Sequence, residues 1–325
     1  MDIAYTCQEN YAQIAGVSIF SLLKNNPNEE ITIHFLDSGL SENSKEEYRK
    51  MCKKHGSSSI YFYDVSNLIN EYSNRLTTFK NNFATYAKLF IEILIPKSVK
   101  TCLYIDSDTL IRGKIKKVFE TWYNSTLAMN NDLVYPEFKT NIGFNANDLY
   151  FNAGVIFIDF EKWRNNNYTD KIISLISSGK KFEFGDQDIF NNVFKNDISQ
   201  IGMKYNYITQ FYFYKNYEMC RKFFKVTEKS FITKEIYESV DPIIVHFTYI
   251  PFILRPWFDK SNHPMRKEYL SYIAESPFCE SFRIQKIKQP FKRKFFQFIL
   301  GEKINYFFAY IIAGFARWVN EKRYA

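Results

Sequence analysis

Asp106 and Asp108 are the residues of this chain whose types and spacing most directly suggest chemistry. They follow the apolar run Cys102-Leu103-Tyr104-Ile105. Residues i and i+2 of an extended chain project to one side, so the two carboxylates can share one cation. Paired acids beyond a buried strand repel unless something positive binds, and the plainer alternative is an acidic pair that caps a loop. His246 closes another apolar run, Pro242 to Phe247. Asp186 and Gln187 open a predicted helix, where an acid is favoured as a cap but an amide has no such role.

The elements must bring these groups together. Asp2 to Thr6 reads as a strand, followed by a helix with Tyr11, Ala15, Ile19, Leu22 and Leu23 on one face and a stop at Asn25 to Pro27. Ile31, Ile33 and Phe35 alternate as a second strand. A polar helix runs from a capping box at Ser44 to Glu47 as far as Gly56, and Ser59 to Tyr63 is a third strand. A helix over Phe83 to Leu94, closed by Pro96, precedes the buried strand Thr101 to Ile105. Phe151 to Phe160 is a further strand, and Lys162 to Ser178 and Gln187 to Phe194 are predicted helices. This alternation predicts an α/β fold with a mainly parallel sheet, whose ligands bind beyond the carboxyl ends of the strands. Thr6-Cys7-Gln8-Glu9-Asn10, Asp106-Ser107-Asp108 and His246 then offer polar groups at one rim. His34, His55 and His263 have no such placement.

The 325 residues are 46% hydrophobic and 24% charged with only 11 Gly and 9 Pro, which excludes collagen-like, low-complexity and disordered classes. Five scattered Cys without a CxxC pair suit a reducing compartment and no structural zinc. MDIAYT lacks the basic and apolar regions of a secretory signal, so a cytoplasmic location is expected. The apolar stretch between Lys303 and Arg317 is shorter than the roughly 20 residues that span a bilayer. Residues 283–325 hold ten Lys and Arg against Glu302 and Glu321, so the whole net charge of +8 lies there, mixed with eleven aromatic residues. Such a tail suits an interfacial helix on an anionic membrane surface. A basic helix packed on its own domain is the simpler alternative. Nucleic-acid binding is not expected, because no reader motif accompanies the charge.

Seven segments stand in a telling order: MDIAYTCQENY, HFLDSGLSE, TYAKL, YIDSDTLI, FNAGVIFIDFEKW, GDQDIFN, and HF followed by RPW. Together, from Met1 to about Trp257, they resemble glycosyltransferase family 8. These are the retaining nucleotide-sugar transferases that include glycogenin and bacterial lipooligosaccharide galactosyl- and glucosyltransferases. The resemblance implies a single Rossmann-like nucleotide-sugar-binding domain of GT-A type over residues 1–282, with a mainly parallel mixed sheet. It also likens the tail, residues 283–325, to that of bacterial members peripheral on the inner face of the plasma membrane.

The activity so implied is transfer of a hexose, galactose or glucose, from a UDP-sugar to a glycan, the lipid-linked core of lipooligosaccharide or lipopolysaccharide. Negative charge gathers on the leaving diphosphate, and a divalent cation stabilises it. Asp106 and Asp108 match the family's metal-binding acids and His246 its third protein ligand. A mixed oxygen and imidazole set suits Mn²⁺ better than Mg²⁺. On the nucleotide side the resemblance puts Thr6, Gln8, Asn10, Tyr11, Lys88, Asp106, Ser107 and Arg255, with Tyr11 stacked on uracil and Gln8 and Asn10 at its edge. On the sugar side it puts Asp132, Asn152, Asp186 and Gln187, the last two as catalytic residues and the Gln187 amide near the anomeric carbon. A neutral amide is a poor nucleophile, so same-face attack by the acceptor is expected, with the diphosphate taking its proton.

Three departures qualify the likeness. Gln8 replaces the family's usual Asp, although its amide oxygen can still accept the uracil N–H. Lys88 replaces a frequent Arg and loses the bidentate fork. The loop FTYIPFIL between His246 and Arg255 is longer than usual and lacks Gly, which weakens the expectation of phosphate contacts there.

Two rival readings use the same residues. Asp106-Ser107-Asp108-Thr109 matches the DxDxT motif of haloacid-dehalogenase-like phosphohydrolases, but that family usually carries it on the first strand and three strands precede it here. A catalytically silent sugar-nucleotide-binding module is disfavoured by the presence of all the essential family residues.

Overall fold

β1 (Asp2–Cys7) is apolar on both sides because it is covered on both: Ile3 and Tyr5 enter one core and Ala4 the other. The computed structural model describes residues 1–73, 76, 84–214, 217–224, 232–250 and 253–286. β2 (Ile31–Asp37) and β3 (Ser58–Asp64) extend the sheet on one side of β1, and β4 (Thr101–Ile105) pairs with it on the other, all parallel. β7 (Phe151–Asp159) lies antiparallel between β4 and β6 (Leu127–Asn131), and β8 (Ile198–Gln200) closes the order β3-β2-β1-β4-β7-β6-β8. Because β7 runs backwards, its first residues reach the rim where β1 and β4 end. That places Asn152, Ala153 and Gly154 beside Asp106, whose N–H donates to the Gly154 carbonyl at 2.7 Å.

His246 reaches this rim on a second, three-stranded sheet. β10 (Ile244–His246) is antiparallel to β5 (Thr109–Ile111) and parallel to β9 (Tyr207–Ile208), with His246 opposite Thr109 and Ile208. β5 is anchored by helix α1 (Ala12–Asn25), whose small polar residues meet it. The Ser18 and Thr109 hydroxyls are 2.7 Å apart, and the Ile111 N–H donates to Ser21 Oγ at 2.9 Å.

Several element boundaries differ from the expectation. Helix α2 (Glu42–His55) starts before the proposed box, because Ser41 is the cap and its hydroxyl accepts the Ser44 N–H. The Glu9 carboxylate accepts from Ser41 N, Ser41 Oγ and Ser44 Oγ and fixes that start. The stretch 84–94 is a 3₁₀ helix, Ala84–Phe90, followed by one α turn, Ile91–Leu94, while Phe83 lies outside the described residues. The helix expected over 162–178 is two, Phe160–Asn165 and Tyr168–Ser177, broken where Asn167 takes φ 51°. No helix among the described residues is long and apolar enough to cross a membrane. Most of the expected tail, 287–325, lies outside the described residues. Its first residues are tied to the domain: the Gln285 N–H donates to the Trp257 carbonyl at 2.9 Å, and its carbonyl accepts from Asp259 N at 3.0 Å.

Candidate active site

Three ligand-type groups converge where β4, β5 and β10 meet. One ligand atom from each of Asp106, Asp108 and His246 lies within 4.8 Å of the others. His246 Nε2 is 3.2 Å from Asp108 Oδ1 and 3.7 Å from Asp106 Oδ2. These residues fit a divalent cation by donor chemistry, two carboxylates and an imidazole facing one point.

Two protein cations flank the acids. Lys88, only 3% exposed, sits on the 3₁₀ helix and donates to Asp106 Oδ1 at 3.0 Å and the Ala153 carbonyl at 2.9 Å, and pairs with Asp186 Oδ2 at 2.9 Å. Burial alone would discharge it, but Asp106 and Asp186 outweigh that and hold the ammonium charged. Burial raises the Asp186 carboxyl, which Lys88 partly offsets. Tyr104, two residues before Asp106 on the same side of β4, donates to Asp106 Oδ1 at 2.6 Å. Burial and the Asp106 charge keep its phenol protonated, hence a donor.

Arg255 closes the other side. Its Nη2 lies 2.8 Å from Asp108 Oδ2, Nε donates to the Phe247 carbonyl at 2.7 Å, and Nη1 donates to Tyr11 Oη at 2.6 Å. Burial would raise the Asp108 carboxyl, but Arg255, and His246 once its ring is protonated at low pH, overcome it and hold it at about 2. Tyr11 is half-buried, edge-on to Trp257 with ring centroids 6.3 Å apart, so it belongs to both the helix packing and the site.

Three of the four residues expected on the sugar side form one bonded cluster, and the fourth, Asp186, is held by Lys88 instead. Asn152 Nδ2 donates to Asp132 Oδ2 at 3.1 Å and Gln187 Oε1 at 3.2 Å, and Gln187 Nε2 donates to Asp132 Oδ2 at 2.9 Å. Gln187 Oε1 also accepts the Ala153 N–H at 3.1 Å. Gly185, at φ 56° with the Tyr86 hydroxyl 3.0 Å from where a Cβ would stand, starts the helix Asp186–Val193 that presents Asp186 and Gln187. Gly154 has a different reason: a Cβ there would lie 2.0 Å from His246 Cε1 and 2.4 Å from Nδ1, so the imidazole rests on bare backbone.

Other expected residues stand differently. The Thr6 hydroxyl donates to the Leu36 carbonyl and the Ser107 hydroxyl to the Thr6 carbonyl, both at 2.7 Å, so these two side chains tie strand ends together. Gln8 is half-exposed and Asn10 exposed at the end of β1. Residues 251 and 252 of the loop before Arg255 lie outside the described residues. Sequence reasoning missed Tyr104, Gly154 and Asn206. Asn206 is fully buried between Tyr205 and Tyr207, and its isolation in that aromatic run was the available signal.

Lys88→Met should expose how strongly the site depends on its buried cation. Removing one partner of a buried ionic group typically costs about 3–5 kcal/mol. The loss should be largest at neutral pH and shrink on acidification. Asp186, already raised by burial, would rise further without Lys88, and a carboxyl raised above its unfolded value destabilises progressively as pH climbs from the unfolded to the folded pKa and fully above the latter. Urea denaturation at pH 5 and pH 8 checks this; equal losses at both would refute it.

Comparison with known proteins places this geometry. The fold is of the GT-A-like class: it matches the galactosyltransferase LgtC, solved with donor and acceptor sugar analogues, at a TM-score of 0.70 and 22% identity, over 90% of this chain and 99% of that one. The model described as glycosyl transferase family 8 matches residues 2–261, and the chain belongs to that family. Similar proteins include general stress protein A of Bacillus subtilis strain 168, 28% identical over 84% of this chain and 93% of its own length. Lipopolysaccharide 1,2-glucosyltransferase of Escherichia coli K12 is 23% identical over 97% of this chain and 89% of its own. Lipopolysaccharide 1,3-galactosyltransferase of Salmonella typhimurium LT2 is 23% identical over 95% and 90%. Membership leaves the phosphohydrolase alternative without support.

Proposed function

We propose that the chain is a metal-dependent retaining glycosyltransferase that moves galactose or glucose from a UDP-sugar to a glycan, the lipid-linked core of a lipopolysaccharide or lipooligosaccharide. The observation that carries the reading is the convergence of Asp106, Asp108 and His246 beside the bonded Asp132, Asn152 and Gln187. Asp106, Asp108, Asp132 and Asp186 outnumber Lys88 and Arg255, so the site carries an excess of negative charge that a divalent cation matches. That ion, Mn²⁺ by its donor set with Mg²⁺ as the lesser fit, supplies charge stabilisation to the diphosphate.

The chain's own groups do the rest. Tyr11 offers a ring for uracil, with Gln8 and Asn10 near its edge; Arg255 is the cation for the diphosphate, and Asp132, Asn152 and Asp186 orient the hexose. Gln187 Oε1 already accepts two hydrogen bonds, from Asn152 Nδ2 and Ala153 N, which further lowers its nucleophilicity and favours same-face attack by the acceptor. The test is a UDP-sugar panel with Mn²⁺, reading UDP release with and without glycan acceptors. Full turnover in EDTA would sink the metal role, and steady phosphate release from nitrophenyl phosphate would sink the reaction class.

The location that accompanies this reading is cytoplasmic and peripheral on the inner face of the plasma membrane, with residues 1–282 as the catalytic domain and 283–325 as the membrane-associating tail. Each basic residue near an anionic surface contributes about 1 kcal/mol. The full chain should therefore float with vesicles containing anionic lipid, less strongly at high salt. A chain ending at Lys286, which keeps the Gln285 bonds, should not float yet should still hydrolyse UDP-sugar slowly. Flotation of the shortened chain equal to the full one would end the tail's role.

A further inference from the structure

The amides of the site form a directed chain of hydrogen bonds, and backbone groups set its direction. Gly154 N–H donates to Asn152 Oδ1 at 3.0 Å, which fixes that atom as the oxygen. The atom of Asn206 that faces it at 2.9 Å must then be the nitrogen, since the reverse orientation would set two carbonyl oxygens against each other. With Nδ2 committed, Asn206 presents Oδ1 to His246 Nδ1 at 3.1 Å. An acceptor there requires the proton on Nδ1, so the neutral ring turns its Nε2 lone pair toward Asp106 and Asp108. Asn130 Nδ2 donates to the Asn206 backbone carbonyl at 2.9 Å and fixes the main chain there, and full burial of Asn206 leaves its side-chain amide little room to turn.

We infer that Asn206 is a positioning residue, which fixes the imidazole of His246 in its cation-binding tautomer and links the cation site to the sugar-side amides. The inference rests on the metal reading above and extends it to a residue that touches neither ligand. Partners that orient a metal-binding His through its second nitrogen typically govern 10–100-fold in metal affinity. The two ends of the amide do different jobs, and two substitutions separate them. Asn206→Leu removes both. Asn206→Asp keeps an acceptor for His246 Nδ1 but loses the donor to Asn152 Oδ1.

The test titrates the full-length protein with Mn²⁺ alone by calorimetry and follows the bound ion by pulsed EPR, which detects a directly bonded imidazole nitrogen. Wild type should bind Mn²⁺ with a nitrogen coupling. Asn206→Leu should bind about 10–100-fold more weakly, with that coupling lost or reduced. Asn206→Asp should retain the coupling and an affinity within about threefold, yet lose most UDP-sugar turnover. Wild-type affinity and coupling in Asn206→Leu would overturn the role of Asn206 while leaving the metal reading intact. Absence of Mn²⁺ binding by wild type would overturn that reading and this inference with it. Should Asn206→Leu fail to fold, Asn206→Asp decides: loss of the nitrogen coupling there overturns the inference.

Discussion

Asp108→Asn is expected to lower UDP-sugar turnover by about three orders of magnitude, the kinetic equivalent of several kcal/mol of lost charge stabilisation on the diphosphate. The amide keeps the shape of the carboxylate but not the charge that faces His246 and Arg255. Stability should respond to pH with a definite sign. The folded carboxyl is held at about 2, below the unfolded value of about 3.9, so it stabilises the fold above about pH 4, and that contribution is lost as pH falls toward 2. The variant should therefore be less stable by up to about 3 kcal/mol at pH 7 and nearly equal to wild type near pH 2. Asp106→Asn should be as inactive but more damaging at neutral pH, because Asp106 also accepts from Lys88 and Tyr104. Turnover assays with Mn²⁺ and urea denaturation at the two pH values measure both effects. Turnover within tenfold of wild type in either variant would remove these acids from the cation site.

Gly154→Ala should be nearly as damaging although it adds one methyl group. The new Cβ would fall within 2.4 Å of two ring atoms of His246 and 3.0 Å from Asn152 Oδ1, both fixed by hydrogen bonds to Asn206. Overpacking of this kind typically costs about 1–3 kcal/mol. Relief requires His246 to move away from Asp106 and Asp108, so under the proposed metal role Mn²⁺-dependent UDP binding should fall well beyond what the stability loss explains. Gly16→Ala is the control: its Cβ would strike Phe278 at 2.2 Å, on α1, and should cost stability without moving His246. Equal nucleotide affinity in the two variants would contradict the account.

The acid pair and the strand before it were legible because local rules govern both: an apolar run ending in i, i+2 carboxylates fixes position and facing together. The amide cluster was legible only through the family resemblance, since nothing in the spacing of Asp132, Asn152 and Gln187 announces that they share hydrogen bonds. Asn206 and Gly154 stayed hidden for a different reason. Their roles depend on a ring that approaches from a second sheet, and pairing between His246 and Ile208 has no sequence signal in strands of two and three residues. The break at Asn167 was overlooked although three consecutive Asn, 165–167, mark it, Asn being a residue that tolerates the left-handed conformation found there.

The antiparallel course of β7 has a consequence for how the chain acquires its shape. While β1, β2 and β3 can pair once β4 has been made, the outer edge of β4 stays open until residues 151–159 are synthesised. An apolar strand with an unpaired edge is prone to join another chain, so a nascent or truncated product of this gene region should depend on chaperones during that interval. The final assembly waits longer still. Tyr11 and Arg255 are bonded across 244 positions, and β10 must return to β5 before His246 meets the acids. A ribosome-stalled chain that ends shortly before β10 would thus carry a formed sheet with its two carboxylates still waiting for their imidazole.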